Sequence, residues 1–286
     1  MSFDFTHSRI HAFMHSCIQT LNMNQHVITS PDKESTVVID QGELISYSKY
    51  GEELIHQKGD PGWRNADTEM FPVIGPTEAN DFIVETERGE AVQDQHGLLR
   101  ELDYAVVSET GHSVSYNKTY KKNTPVKNSK YPDKSTKESV FWPYNFSFTK
   151  NFNLNDNHLS IEFVIKGEEG MPFMLGYHPA FKLSGNHTES FQAGMKQMSL
   201  QDILDVGSVA FPALNTDEIT LIKEEGYNIR LITKGFDNFM LWTEVPNMVC
   251  IEPITAYPYT GKNILGKGLF KSCTEKDSFE VLIQPY

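Results

Sequence analysis

Short apolar or alternating segments, separated by turn residues, make up most of the chain. Residues 37–39, 43–47 and 53–56 predict three strands joined by turns that contain Gly42 and Gly51. Segments of the same kind continue toward the C-terminus at 102–108, 112–120, 140–151, 159–165, 214–220, 227–233, 239–243, 248–251 and 279–284. Strands at this spacing, without alternating helices, predict an all-β sandwich or barrel and argue against a βαβ fold.

The one clear helical pattern lies near the N-terminus. Residues 6–22 place apolar side chains on one face at helical spacing, and Asp4 or Thr6 is available as a cap. We therefore assign 1–35 to an N-terminal helical extension and 36–286 to one β-sandwich domain. The helix is expected to dock on the main body or on another subunit, and a homodimer is one of the oligomeric states left open.

Histidines 7, 11 and 15 run along the flank of this helix at four-residue intervals, a spacing that can present two imidazoles to one metal ion. No acidic or cysteine partner lies at a matching distance, so we favour a solvated flank. Cysteines 17, 250 and 273 are too few and too scattered for a disulfide framework, a zinc motif or thiol redox chemistry. No metal is predicted.

Composition narrows the classes of partner. The net charge of −13 works against binding to nucleic acid or to an anionic membrane, because both need a cationic surface. No apolar run reaches the roughly 20 residues that span a bilayer, and the N-terminus lacks the pattern of a secretory signal. We expect a cytoplasmic protein. The lysine-rich residues 121–137 predict a solvated excursion, which would contact a phosphate only if it folded against a binding cleft.

Candidate chemistry lies at the ends of predicted strands. In residues 176–181 (Gly-Tyr-His-Pro-Ala-Phe), Gly176 allows a bend and Pro179 removes a ladder donor, so the strand should end with His178 at its mouth. The alternative is a core histidine whose two nitrogens are satisfied by backbone groups.

Two further stretches have the same character. His96 lies in residues 93–100, and Glu252 follows an apolar run and precedes Pro253. A buried carboxylate is costly unless it is hydrogen-bonded or used in chemistry. Two histidines and a glutamate at strand ends form a plausible general acid and base set. No dinucleotide, Walker or His-Glu-x-x-His motif occurs, so nucleotide-cofactor and zinc-protease functions have no support.

Taken together and in order, these stretches resemble the aldose 1-epimerases, also called galactose mutarotases. The resemblance is closest to a shorter bacterial branch and rests on residues 96–98, 176–181 and 250–253, with weaker similarity at 42–46, 71–75, 142–144, 171–173 and 241–243. It covers roughly residues 36–286. It implies a large antiparallel β-sandwich with a sugar cleft, a monosaccharide substrate, and no metal or organic cofactor.

The resemblance also implies roles for individual residues. Glu252 would take the proton of the anomeric hydroxyl, His178 would protonate the ring oxygen, and His96 would hydrogen-bond near that oxygen. Arg100 matches a motif arginine near the cleft, and Asp217 matches loosely an aspartate that binds a sugar hydroxyl. The equal alternative for Asp217 is a turn residue at the start of a strand.

Two motif positions depart from the family pattern. Residues 75–77 are Gly-Pro-Thr where many members carry an arginine, and Ile254 replaces a common tryptophan. Three functions therefore stay open. The first is interconversion of the anomers of a free hexose, which we rank highest. The second is the same reaction on a hexose 6-phosphate, which would need at least two cations in the cleft. The third is a carbohydrate-binding or sugar-sensing protein without turnover.

Overall fold

A computed structural model describes residues 25–259, 261 and 263–286. The predicted helix over 6–22, its three histidines and Cys17 lie outside the described residues. Within the described part, no helix is both long enough and apolar enough to cross a bilayer.

The described residues form mainly short antiparallel strands, as the alternating pattern predicts. In chain order the strands are β1 (Gln25–Thr29), β2 (Ser35–Asp40), β3 (Glu43–Lys49), β4 (Glu52–Glu53), β5 (Glu69–Met70), β6 (Ile83–Thr86), β7 (Gly89–Val92), β8 (Ala105–Glu109), β9 (Ser113–Tyr120), β10 (Val126–Lys127), β11 (Ser139–Val140), β12 (Phe146–Leu154), β13 (Leu159–Gly167), β14 (Pro172–Phe173), β15 (Gly176–Tyr177), β16 (Ala180–Lys182), β17 (Ser190–Ala193), β18 (Lys196–Ser199), β19 (Phe211–Leu214), β20 (Glu218–Ile222), β21 (Ile229–Lys234), β22 (Asn238–Trp242), β23 (Met248–Ile254), β24 (Lys271–Ser272) and β25 (Lys276–Pro285). The helical elements are α1 (Leu200–Leu204) and the 3-10 helices Glu78–Asn80, Leu98–Glu101 and Lys267–Leu269.

Two large antiparallel sheets organise these strands. One has nine strands in the order β18-β17-β20-β21-β25-β13-β12-β9-β8, and the other has the order β19-β22-β23-β15-β5 with β16 also paired to β23. A four-stranded meander, β1-β2-β3-β4, accounts for the first three predicted strands. Residues 25–35, which we assigned to the helical extension, instead contribute β1 and its turn, because Val27 and its neighbours pair with β2.

The two large sheets pack face to face around one core. Strands β12 and β13 alternate buried and partly exposed residues, as expected when one face of a sheet is covered. Phe163 of the nine-stranded sheet contacts Tyr177 of the other at a ring-centroid distance of 5.1 Å. This architecture is the antiparallel β-sandwich that the sequence predicts.

Strand β23 is buried along its whole length and has two different faces. Val249 and Ile251 belong to the core between the sheets. Cys250 and Ile254 belong to separate apolar clusters on the opposite face. Since side chains alternate along a strand, Glu252 shares the face of Cys250 and Ile254, away from the inter-sheet core.

Candidate active site

The pairing register brings His178 and Glu252 together. Strands β15 and β16 both pair with β23, with Gly176 opposite Ile254 and Ala180 opposite Cys250. His178 lies midway between these two pairs and therefore faces Glu252, and residues opposed in this way project from the same face. Their Nε2 and Oε1 atoms are 3.4 Å apart. Both side chains are buried, at 6% and 2% exposure.

The backbone of His178 is fixed from its other side as well. Its N–H donates to the carbonyl of Thr68 at 2.9 Å, and the Thr68 N–H donates back to the carbonyl of His178 at 3.3 Å. Pro179 has no N–H, and its carbonyl accepts from Ile251 at 3.3 Å. The imidazole is therefore held where one strand gives way to the next, as the motif predicts.

His96 reaches the same place from a tight loop that follows β7. Its N–H donates to the carbonyl of Ile74 at 2.9 Å, and its carbonyl accepts from Phe71 at 3.2 Å. His96 has φ 75° and Gly97 has φ 69°. A Cβ at Gly97 would lie 2.3 Å from the carbonyl oxygen of Phe71, so only glycine fits there. The rings of His96 and His178 meet edge to face, with centroids 5.4 Å apart.

Two tryptophans surround His178. Trp63 stacks on the imidazole at a centroid distance of 4.3 Å and an interplanar angle of 26°, and Trp242 lies at 6.2 Å. The Trp63 backbone is anchored because its carbonyl accepts from His56 Nε2 at 2.7 Å. We did not predict Trp63 as a site residue. The available signal was a large aromatic side chain in a loop rich in glycine and proline.

Burial dominates the electrostatics of the pair. It raises the pKa of Glu252 well above the usual range of a carboxyl group. Burial, with the charge of Arg100, lowers the pKa of His178 to about 3. Burial and the neighbouring His178 and Arg100 also hold the pKa of His96 well below its usual value. Both shifts in the His178–Glu252 pair favour the uncharged forms of the two groups.

A cavity of about 340 Å³ opens onto these side chains. Its lining combines the acid–base candidates with aromatic and polar groups: Trp63, Gln95, His96, Lys134, His178, Trp242, Glu244, Glu252 and Tyr259. In the described part of the chain, no protein group bonds the buried Nδ1 atoms of His96 and His178. A small cavity with convergent polar groups and shifted pKa values is typical of a ligand site.

The two remaining predicted site residues, Arg100 and Asp217, lie in different places. Arg100, in the 3-10 helix Leu98–Glu101, lines a second cavity next to the first. Asp217 does not line either cavity. It is exposed in the turn before β20, and its carbonyl accepts from the N–H and hydroxyl of Thr233. Asp217 therefore occupies the turn position that its alternative interpretation describes, apart from the two cavities.

The other two motif positions are also explained by their surroundings. Ile254 is fully buried in an apolar cluster with Met70 and Ile74, and Gly75 lines the first cavity.

Across residues 25–259, 261 and 263–286, no group of three or more His, Cys, Asp or Glu side chains is arranged to hold a metal ion.

Comparisons with known proteins agree with this description. Residues 85–257 match the family described as Aldose 1-epimerase. A galactose mutarotase-related enzyme from Lactobacillus acidophilus superposes with a TM-score of 0.72 at 18% identity, over 92% of this chain and 97% of that chain. A galactose mutarotase-like protein from Lactobacillus casei gives 0.74 at 16% identity, over 91% and 100%.

A galactose mutarotase-like protein from Clostridium acetobutylicum gives a TM-score of 0.63 at 13% identity, over 88% of this chain and 92% of that chain. No curated protein matches the chain significantly. The sandwich is therefore the fold of the galactose mutarotase-like proteins.

Proposed function

Since the chain belongs to the aldose 1-epimerase family, we propose that it interconverts the α and β anomers of a hexose by general acid and base catalysis. The observation that carries this proposal is the contact between His178 Nε2 and Glu252 Oε1, 3.4 Å apart at the buried end of a cavity. A hemiacetal carbon bears both the hydroxyl that must lose a proton and the ring oxygen that must gain one. The base and the acid therefore have to be neighbours.

The reaction uses the two groups in turn. Glu252 accepts the proton of the anomeric hydroxyl while the bond from C1 to the ring oxygen breaks. The electron pair of that bond goes to the ring oxygen, which takes a proton from His178, and an open-chain aldehyde results. After rotation about the C1–C2 bond, the same hydroxyl attacks the other face of the aldehyde. His178 recovers its proton, Glu252 returns its own, and the other anomer forms.

The uncharged forms that burial favours fit this cycle, if the carboxyl proton of Glu252 lies beside His178. Sugar hydroxyls that enter the cavity hydrogen-bond the Glu252 carboxylate, which favours its ionised form and moves the proton across the 3.4 Å contact to His178. His96, whose ring lies 5.4 Å from that of His178, donates a hydrogen bond near the ring oxygen and stabilises the opening sugar. Each proton transfer contributes about 10² to 10⁴ fold in rate.

The test is replacement of the base without a change of shape. We expect Glu252→Gln to slow anomer exchange by at least about 10² fold, because an amide cannot accept the proton. Polarimetry on freshly dissolved glucose and galactose measures the rate. Glu169→Gln, an exposed position away from the cleft, is the matched control and should keep full activity. Undiminished exchange in Glu252→Gln would remove this residue from the mechanism.

Two measurements on the same preparation distinguish an enzyme from a sugar-binding protein without turnover. Isothermal titration calorimetry against a sugar panel is run beside the exchange measurement. Tight binding without accelerated exchange would overturn the enzymatic function. Exchange that is lost in both Glu252→Gln and His178→Asn, with the fold intact by circular dichroism, supports it.

A further inference from the structure

The cleft has a second compartment beside the catalytic one. A cavity of about 480 Å³ shares six lining residues with the first cavity: Trp63, Gln95, His96, Lys134, Trp242 and Glu244. The two cavities therefore adjoin. A sugar whose anomeric carbon lies at His178 and Glu252 would extend a substituent into this second space.

Four cationic side chains line the second cavity: Arg64, Arg100, Lys130 and Lys134. They come from three separate segments, a loop, a 3-10 helix and the lysine-rich run. They are close enough to repel one another. Burial and the charge of Arg64 lower the pKa of Arg100, and burial and Arg100 lower the pKa of Lys130 despite Asp94. Such a cluster is notable in a chain with a net charge of −13.

The carboxylates nearby compensate these charges only in part. Asp94 accepts from Lys130 at 3.0 Å and from Asn128 at 2.9 Å. Arg100 Nε is 3.7 Å from Glu101, beyond hydrogen-bond distance. Glu78 and Glu244 also line the cavity. Neither Arg64 nor Lys134 forms an ion pair with another residue in the described ranges of the chain.

The lysine-rich run is exposed at most of its positions, as predicted, but it also folds against the cleft. Asn128 and Ser135 are buried, and the Asn128 amide donates to Asp94 at 2.9 Å and to Ser135 at 3.0 Å. This packing turns Lys130 and Lys134 toward the cleft, where both line the second cavity. The condition that we attached to a phosphorylated substrate, at least two cations in the cleft, is met.

We propose that the second cavity binds the phosphate group of a hexose 6-phosphate, the ring of which is opened by His178 and Glu252. This inference rests on the proposed function and specifies its substrate class. C6 is attached to the carbon that carries the ring oxygen, and His96, which we place near that oxygen, borders both cavities. A 6-phosphate would pass His96 and meet Arg64, Arg100 and Lys134. Guanidinium groups bind phosphate oxygens in a bidentate manner and ammonium groups add charge. From the sequence alone we ranked a free hexose above a hexose 6-phosphate as the substrate. The structure leads us to prefer the hexose 6-phosphate.

Anomer exchange at equilibrium, followed by NMR saturation transfer, tests this inference. For the wild type we expect kcat/KM to be at least tenfold higher for glucose 6-phosphate than for glucose or glucuronate. Inorganic phosphate should inhibit competitively. Arg64→Gln and Lys134→Gln should each lower kcat/KM for glucose 6-phosphate at least tenfold more than for glucose. Lys122→Gln, exposed in the same lysine-rich run, is the control and should change neither.

The outcomes separate the subsite from the reaction. Equal kcat/KM for phosphorylated and free glucose would overturn the subsite while leaving the proposed reaction intact. An equal preference for glucuronate would make it a carboxylate site and overturn the phosphate assignment. If no sugar is turned over, the proposed reaction fails. Calorimetry of glucose 6-phosphate against Glu252→Gln, with and without Lys134→Gln, then still decides whether the subsite exists.

Discussion

At the scale of single residues, the environment of His178 matters as much as its identity. An imidazole in water titrates near 6.5, whereas burial and Arg100 lower the pKa of His178 to about 3. Trp63 supplies part of that burial, since its ring lies parallel to the imidazole at 4.3 Å. It also fixes the ring plane, and thereby aims Nε2 at Glu252. Trp63 is therefore a positioning residue for His178, the proposed acid.

Replacing Trp63 should expose the imidazole. In Trp63→Leu we expect the pKa of His178 to rise from about 3 toward 6.5, because water reaches the ring and solvates the imidazolium. Anomer exchange should slow by roughly tenfold as the ring loses its fixed plane. NMR titration of the histidine Cε1–H resonances measures the pKa, and Trp63→Phe, which keeps an aromatic face, should give an intermediate value. An unchanged His178 pKa in Trp63→Leu would show that other groups keep water away.

At the scale of elements, a buried ion cluster ties the two sheets together beneath the site. Lys150 on β12 of the nine-stranded sheet contacts Asp67 Oδ2 at 2.7 Å and Glu69 Oε1 at 2.6 Å. The Tyr177 hydroxyl donates to the same Asp67 oxygen at 2.7 Å. Asp67 and Glu69 flank Thr68, the residue that holds the backbone of His178. The cluster thus links sheet packing to the position of the strand end that carries His178.

Breaking this cluster should lower the stability of the fold. Lys150→Met would leave two buried carboxylates without their cation, and such a loss costs about 3–5 kcal/mol. Urea unfolding should show a decrease of that size. Lys166→Met, exposed on neighbouring β13, is the control and should change the free energy of unfolding by less than about 0.5 kcal/mol. A decrease below about 1 kcal/mol in Lys150→Met would mean that the carboxylates find other compensation.

The elements also mark the limit of prediction from sequence. Alternating segments such as 159–165 contain their own periodicity, and that segment is confirmed as part of β13. The break between β15 and β16 is likewise local, because Pro179 has no N–H to donate there. The neighbourhood of His178 and Glu252 is not local, since it arises from the pairing of β15 and β16 with a strand some seventy residues later. The family resemblance supplied that link, which spacing alone could not.

The same distinction explains where the structure places the lysine-rich run and Asp217. Lysines spaced along a polar stretch look alike whether they face water or a cavity. The buried Asn128 amide, which donates to Ser135 and to Asp94, decides the outcome here, and Asp94 lies on a distant segment of the chain. Asp217 had a loose motif match, but its position before β20 directs it away from the cleft. Long-range partners, rather than local composition, determine both results.

At the scale of the whole molecule, charge is distributed unevenly. The chain carries 38 acidic residues against 25 basic ones, yet four of the cations line one cavity of the cleft. A net negative charge disfavours nonspecific binding of anions. For the proposed 6-phosphate substrate, the cations that line this cavity are therefore the attractive charges in an otherwise acidic chain.

The buried histidines also make the stability of the whole fold depend on pH. His178 has a pKa of about 3 in the folded protein and about 6.5 when unfolded, so between these values the unfolded chain binds a proton that the folded one does not. This contribution is fully present above pH 6.5 and is lost by up to about 1.4 kcal/mol per pH unit as the pH falls toward 3. Urea titrations at pH 7.5, 6 and 5 measure this effect. As the pH falls, the free energy of unfolding of the wild type should decrease more than that of His178→Asn. His187→Asn is the control, because His187 is exposed with φ 60°, a conformation that asparagine tolerates, and it should follow the wild type. Parallel pH dependence of the wild type and His178→Asn would contradict the lowered pKa of His178.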